Sequence, residues 1–202
     1  IATRLGAPRL LFCHQRVPTE STAGLKGATR SLVSRTHDLV ELVDWCRYVT
    51  GTEPSSVLGL THVSCEAPEQ IDYEMMSLDF SGTSGPGTKT TAQISSGRYM
   101  PAHWPEAVAY RPPAALQVAC EHGIAFIDLP STLVWFDKAG RHMESLDSER
   151  PMGEQMLSQF HRAVTSLVRS TSGLEDAYRA MLIVQKAHQS HDEGCRIPLD
   201  WS

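Results

Sequence analysis

The stretch THDLVELVDW (36–45) places one imidazole and three carboxylates, His37, Asp38, Glu41 and Asp44, within two helical turns. A histidine with a carboxylate four residues on can be oriented and tuned by it, which is what moving a proton to or from a hydroxyl requires. The same residues also make an ordinary solvated acidic face opposite an apolar stripe. A second cluster, HQSHDEGC (188–195), sets His188 and His191 three apart with Cys195 nearby, a spacing that metal ligands use. It has no C-x-x-C, no H-E-x-x-H and no second ligand pair, so it reads as a fraying helix end stopped by Gly194, and no metal is expected. The third, SSGRYMPAHWPE (95–106), carries Arg98, Tyr99, His103 and Trp104, side chains suited to gripping a polar small molecule such as a sugar. Packing of a turn is their other use.

The phosphate-binding and nucleophile motifs are missing. The sequence has no G-x-G-x-x-G, no G-x-x-x-x-G-K-[ST] and no G-x-S-x-G. GTSGPGTK (82–89) is glycine-rich but falls between two strand patterns and reads as a hairpin loop. No residue is therefore expected to bind a cofactor.

The elements that must position these residues follow from periodicity. A β-prone run at 9–17 is followed by a small polar loop over 19–33. A helix from about Ser34 to Val49 repeats Leu39, Leu42, Val43, Cys46 and Val49 as one apolar stripe, with His37, Glu41, Asp44 and Tyr48 on another face. Short strand patterns then occupy 55–65, 72–80, 88–97, 114–121, 124–130 and 132–138, joined by tight reversals such as EHGI and DKAGRH. Two helices, 152–169 and 174–190, close the chain before a last strand in CRIPL. The first sets Met156, Phe160, Ala163, Val164 and Leu167 on one face. The second is apolar on two sides, which predicts a sandwiched position. The order predicts α+β: one large open, mostly antiparallel or mixed sheet with helices packed on one face.

The chain has 202 residues, 41% hydrophobic and 20% charged, with a formal net charge of −5, so it is neither disordered nor built to bind nucleic acid or anionic lipid. Five cysteines, Cys13, Cys46, Cys65, Cys120 and Cys195, stand singly and make no disulfide framework. No apolar run approaches the ~20 residues of a membrane span. The expectation is a cytoplasmic protein, any export signal lying upstream of Ile1. The opening IATRLGAPRL has no initiator methionine and no leader pattern, and reads as a piece of a longer chain.

In order, these pieces resemble the C-terminal domain of the Gfo/Idh/MocA (glucose–fructose oxidoreductase and inositol dehydrogenase) oxidoreductases. The resemblance rests on the Gly-x-Pro before the first strand in IATRLGAPRLL, on HDLVELVDWCRYVTGTEPSSV, on the turn in CEHGIAFI, and on the closing QMLSQFHRAVTSLVRSTSGLEDAYRAMLIVQKAHQSHDEGCRIPL. It covers nearly the whole chain and implies one domain over 1–202, of the dihydrodipicolinate-reductase or glyceraldehyde-phosphate-dehydrogenase C-terminal type. It also implies NAD or NADP on a separate domain, a sugar, inositol or polyol substrate, hydride transfer, and homo-oligomers formed through the open sheet. A fragment without the cofactor domain would be inactive. In that family a His and an Asp stand three apart, with a Trp four beyond the Asp. Counting back from Trp45 puts Glu41 at the Asp position and Asp38 at the His position; anchoring on His37 leaves Val40 where the Asp should be. Glu41, His37 and Asp38 are the candidates for proton transfer, and Arg98, Tyr99 and His103 for substrate contact. The shifted register supports an alternative, a non-catalytic binding or scaffold domain of the same descent.

Overall fold

The computed structural model describes residues 2–19, 28–63, 71–81, 89–101, 103–104, 106–107, 110, 114–128, 132–146, 152–165 and 172–201. Among them nine strands form one sheet. They are β1 (Pro8–Thr19), β2 (Ser56–Val63), β3 (Ile71–Asp79), β4 (Thr91–Pro101), β5 (Leu116–Cys120), β6 (Ile124–Asp128), β7 (Thr132–Asp137), β8 (Gly140–Ser145) and β9 (Ile197–Pro198). The helices are α1 (Ala2–Leu5), α2 (Ala28–Thr50), α3 (Met152–Thr165) and α4 (Ser172–Glu193). The strand order is β8-β7-β6-β5-β1-β4-β3-β2-β9. Every neighbouring pair is antiparallel except β1 and β4, so the sheet is mixed and the fold α+β, as expected. The strand directions make β2 parallel to β1, with α2 as the crossover between them.

Alternation along the strands separates the two faces. Leu11 and Cys13 of β1, Met76 and Leu78 of β3, Ala92 and Ile94 of β4 and Val57 of β2 are buried beneath the helices. Onto them α2 lowers Leu39, Leu42, Val43 and Cys46, and α4 lowers Ala180, Ile183, Val184 and Ala187. Each fully buried Leu, Ile or Val contributes about 1.5–3 kcal/mol relative to exposure, so this seam carries most of the fold. The thiols of Cys13 and Cys46 meet across it at 3.5 Å. α4 sits directly on β2 because position 59 is glycine: a Cβ there would lie 2.0 Å from the carbonyl oxygen of Ala187. A second, smaller core of Leu5, Ala125 and Trp135 lies at the other end of the sheet, where α1 brings Leu5 in and Arg4 over the Trp135 ring.

One buried guanidinium ties the helices together. Arg47, 7% exposed, donates to both oxygens of Glu53, to Asp44 Oδ1, and to the carbonyl and carboxylate of Asp176 at the start of α4. Gly51, at φ 65°, closes α2 by donating to the Arg47 carbonyl, the left-handed stop that glycine favours.

Several expectations need correction. α2 begins at Ala28 rather than near Ser34, so residues 28–33 belong to the helix and not to the loop; residues 20–27 lie outside the described ones. β8 and the single-turn α1 were not anticipated. The expected sandwich of α4 is half present. Its α2 and β2 side is buried, whereas Leu174, Tyr178 and Met181 are exposed, because no described residue lies over them. α3 ends at Thr165 within the described residues, and its stripe of Met156, Leu157, Phe160 and Val164 is also exposed. Ala163 and Leu167 fall outside the side chains described.

Candidate functional site

Polar residues interrupt the core at one end of the seam between sheet and helices. The helix-side register that carries Leu11, Ile94 and Met76 continues into Gln15 of β1, Ser96 and Arg98 of β4, and Glu74 of β3. Gln15, Ser96 and Glu74 are partners across three adjacent strands and form one row, with a step of about 4.8 Å per strand. Ser96 Oγ donates to Gln15 Oε1 at 3.5 Å, and both Ser96 and Glu74 are buried.

Each covering helix adds a charged partner. From α2, Asp38 Oδ2 accepts from Arg98 Nη2 at 2.9 Å, with the two side chains only 16% and 15% exposed. From α4, His188 Nε2 lies 2.7 Å from Glu74 Oε1. The hydrogen bond to Glu74 raises the His188 pKa above the ordinary histidine value; burial opposes it, and the charges of Glu74 and Asp192 reinforce it. The row thus presents carboxylates, a guanidinium, an amide, a hydroxyl and an imidazole within one patch. Such a mixture of donors and acceptors suits a polyhydroxylated molecule.

The six candidates from the sequence divide. Asp38 and Arg98 meet on this wall. His37 and Glu41 do not reach it: each is rotated from Asp38 around α2, and they line an outer cleft of about 950 Å³ between α2 and α4 with Asp44, Tyr48 and Asp176. The floor of that cleft is the Arg47–Glu53 pair, which holds the Glu53 carboxyl below the usual carboxylate range. Tyr99 follows Arg98 on the strand and so faces the opposite side of the sheet, edge-on to Tyr73 at 6.1 Å. His103 is exposed beyond β4, against Trp104 at 4.8 Å. Arg98, Tyr99 and His103 therefore do not converge.

Glu74 and His188 entered the reading of the sequence only as parts of a strand and of a helix end. The register held the signal for Glu74: in DYEMMSLDF it shares the inward set with Met76 and Leu78. His188 and His191 diverge, His188 to Glu74. Among the described residues no three His, Cys, Asp or Glu side chains are placed to hold a metal ion. The sequence has no G-x-G-x-x-G turn to cradle a dinucleotide phosphate.

No protein-family model matches this sequence, and no curated protein matches it. Solved structures do. Aldose-aldose oxidoreductase from Caulobacter crescentus, complexed with glycerol, is similar over 96% of this chain with a TM-score of 0.76 at 15% identity. The chain has the fold of about half of that oxidoreductase. UDP-N-acetylglucosamine 3-dehydrogenase GnnA from Acidithiobacillus ferrooxidans matches over 94% of the chain with a TM-score of 0.61 at 18% identity. An NAD-binding protein from Listeria innocua matches over 97% with a TM-score of 0.63 at 13% identity. The chain covers 56%, 54% and 56% of those three, about half the length of each. The shared fold, an open mixed sheet with helices on one face, is the one the resemblance implies. Of the three candidates on α2, Asp38 is the one that meets the sheet, through Arg98.

Proposed function

We propose that residues 1–202 form a single substrate-binding and oligomerisation domain of an NAD(P)-dependent oxidoreductase acting on a sugar, an inositol or a related polyol. The observation that carries this reading is the polar wall of Gln15, Ser96, Arg98–Asp38 and Glu74–His188, set in a fold shared with oxidoreductases of nearly twice the length. Hydride transfer is the chemistry a bound nicotinamide would supply, from a domain other than this one. These residues bind and orient the substrate. Arg98 donates to its oxygens, and Asp38, Ser96 and Gln15 exchange hydrogen bonds with its hydroxyls. Proton transfer is assigned to α2, to Asp38 for a substrate held on the wall, or to Glu41 and His37 for one held in the outer cleft that they line. The glycerol bound to the Caulobacter oxidoreductase supports a small polyol as ligand.

A homo-oligomer is part of the proposal. The sheet face turned away from the helices exposes Leu10, Leu58 and Leu60 beside Phe12 and Met75, an apolar surface suited to a second copy. Nucleic acid and membrane are not proposed partners. The net charge is −5, and no helix among the described residues is long and apolar enough to cross a membrane. The free thiols of Cys13, Cys46, Cys120 and Cys195 support a reducing compartment, the cytoplasm.

A second reading, a non-catalytic binding or scaffold domain, is favoured by one observation: Asp38, at the family's histidine position, is already engaged by Arg98. The test is hydride transfer by the full-length protein with NAD and NADP over a panel of sugars and inositols, followed by Asp38→Asn, Glu41→Gln and His37→Ala. Turnover that collapses in one of the three identifies the proton carrier. Binding without turnover supports the second reading, and neither binding nor turnover overturns both. Micromolar NAD(H) binding by the 202 residues alone would overturn the placement of the cofactor on another domain.

A further inference from the structure

Glu74 occupies a core position. On its register of β3 it follows Asp72 and precedes Met76 and Leu78, both buried, and a carboxylate at the end of that buried run is costly unless it is paired. The charged partner the structure gives it is His188, whose Nε2 lies 2.7 Å from Glu74 Oε1. A glutamate kept at such a position holds a geometry that an apolar side chain would not.

That geometry is specific. Once the imidazole is neutral, above its raised pKa, a buried carboxylate accepting from Nε2–H fixes the tautomer and leaves Nδ1 as the acceptor. The His188 side chain is 42% exposed, so the ring bridges the buried carboxylate and the open end of the wall. Among the described residues no hydrogen bond is made by Nδ1. Arg98 stands two residues beyond Ser96, the cross-strand partner of Glu74. It is therefore the diagonal neighbour of Glu74 across the strand pair, about 7 Å away between Cβ atoms. Glu74 and Arg98 thus flank Ser96 on the helix side of the sheet.

We infer that Glu74 and His188 form a hydroxyl-binding dyad of the substrate wall, in which His188 Nδ1 accepts a hydrogen bond from a sugar or polyol hydroxyl while Glu74 holds Nε2–H. The inference rests on the proposed reading of this chain as the sugar- or polyol-binding side of the enzyme. It adds a residue from α4 to a site otherwise built from α2 and the sheet. Within the dyad His188 touches the ligand and Glu74 positions it.

The test uses the 202-residue chain labelled with ¹⁵N-histidine at about pH 9, where the ring is neutral, titrated with myo-inositol and with glucose and followed by the His188 ring resonances. The dyad predicts an Nε2–H tautomer in the free protein and a shift of Nδ1 that saturates with the ligand. His188→Gln, which keeps a donor toward Glu74 but removes the Nδ1 acceptor, should weaken binding about tenfold, the effect of losing one good hydrogen bond. Glu74→Gln should weaken it less and let the ring populate both tautomers. If a probe binds while the ring resonances stay still and His188→Gln binds as tightly as the parent, the dyad is wrong and the substrate-side reading stands. If neither probe binds, the dyad fails together with that reading. The ring measurement on the unsubstituted chain decides the matter even if a variant does not fold.

Discussion

Asp38 of α2 and Arg98 of β4, sixty residues apart in the chain, are joined by a 2.9 Å charge-assisted hydrogen bond at the edge of the core. Each side chain is mostly withdrawn from water, so removing Arg98 leaves the Asp38 carboxylate poorly solvated. Arg98→Met should cost about 3 kcal/mol because it strands the Asp38 carboxylate. Asp38→Asn should cost a similar amount, and the double variant clearly less than the sum. A double-mutant cycle in urea reads this coupling; additive losses would mean that the two side chains do not depend on each other.

Arg47 gives a sharper case, because geometry matters there as well as charge. Its planar fork meets both oxygens of Glu53 and reaches Asp44 and Asp176 at once. Lysine keeps the charge but cannot match the fork. Arg47→Lys should lower stability by about 2 kcal/mol, and Arg47→Met by about 3–5 kcal/mol. Thermal melts of the two variants check the order.

The Glu74–His188 pair makes stability depend on pH. The folded-state pKa of His188 is raised above 6.5, chiefly by the hydrogen bond to Glu74 on β3, with Asp192 on α4 adding its charge. A raised pKa means that the folded state binds the proton more tightly than the unfolded chain. The added stability is therefore fully present below the unfolded value and lost as pH rises through the folded one. Glu74→Gln should accordingly destabilise more at about pH 6 than at about pH 9. Urea midpoints at the two pH values measure it, and an equal loss at both would contradict the pairing.

Gly59 should tolerate no side chain. The atom a Cβ would strike is the backbone carbonyl of Ala187, which cannot swing aside as a side chain could. Gly59→Ala should cost about 3 kcal/mol or more by lifting α4 from β2. Gly153→Ala, with open space around its Cβ position, is the control and should change stability little. Chemical denaturation of both variants decides it.

The open sheet face predicts association. Leu58 and Leu60 project there from β2, and Leu60→Glu should shift a dimer or larger assembly toward monomer in sedimentation velocity without unfolding the chain. A parent protein that is monomeric at high concentration would remove the sheet as an interface.

What the sequence revealed follows from what periodicity records, which is burial. The stripe Leu39, Leu42, Val43 and Cys46 and the alternation of β3 were legible because each has one buried face. β8, GRHMES, is an edge strand with most of its residues exposed, so no alternation marks it. The missed start of α2 lies in ATRS (28–31), where no apolar stripe runs. At the site, the chemistry of Asp38 and Arg98 was visible as residue types, but their meeting depends on α2 crossing β4. His188 reaches Glu74 across 114 residues, and no local pattern announces such a pairing. The split between Arg98 and Tyr99 was legible in principle, since adjacent strand residues face opposite ways. Adjacency in sequence, on a strand, argues for separation.

The place of β1 in the strand order bears on how the molecule assembles. β1 lies between β4 and β5, so its hydrogen-bonding edges are closed by residues 91–101 and 116–120. A chain emerging from the ribosome therefore exhibits its middle strand, RLLFCHQRV, long before either neighbour has been synthesised. Pairings this distant in sequence make for slow folding and for a nascent chain that carries a bare, apolar β-edge. Yield in cells should thus be governed less by the stability of the finished sheet than by the holdase capacity available while that edge waits.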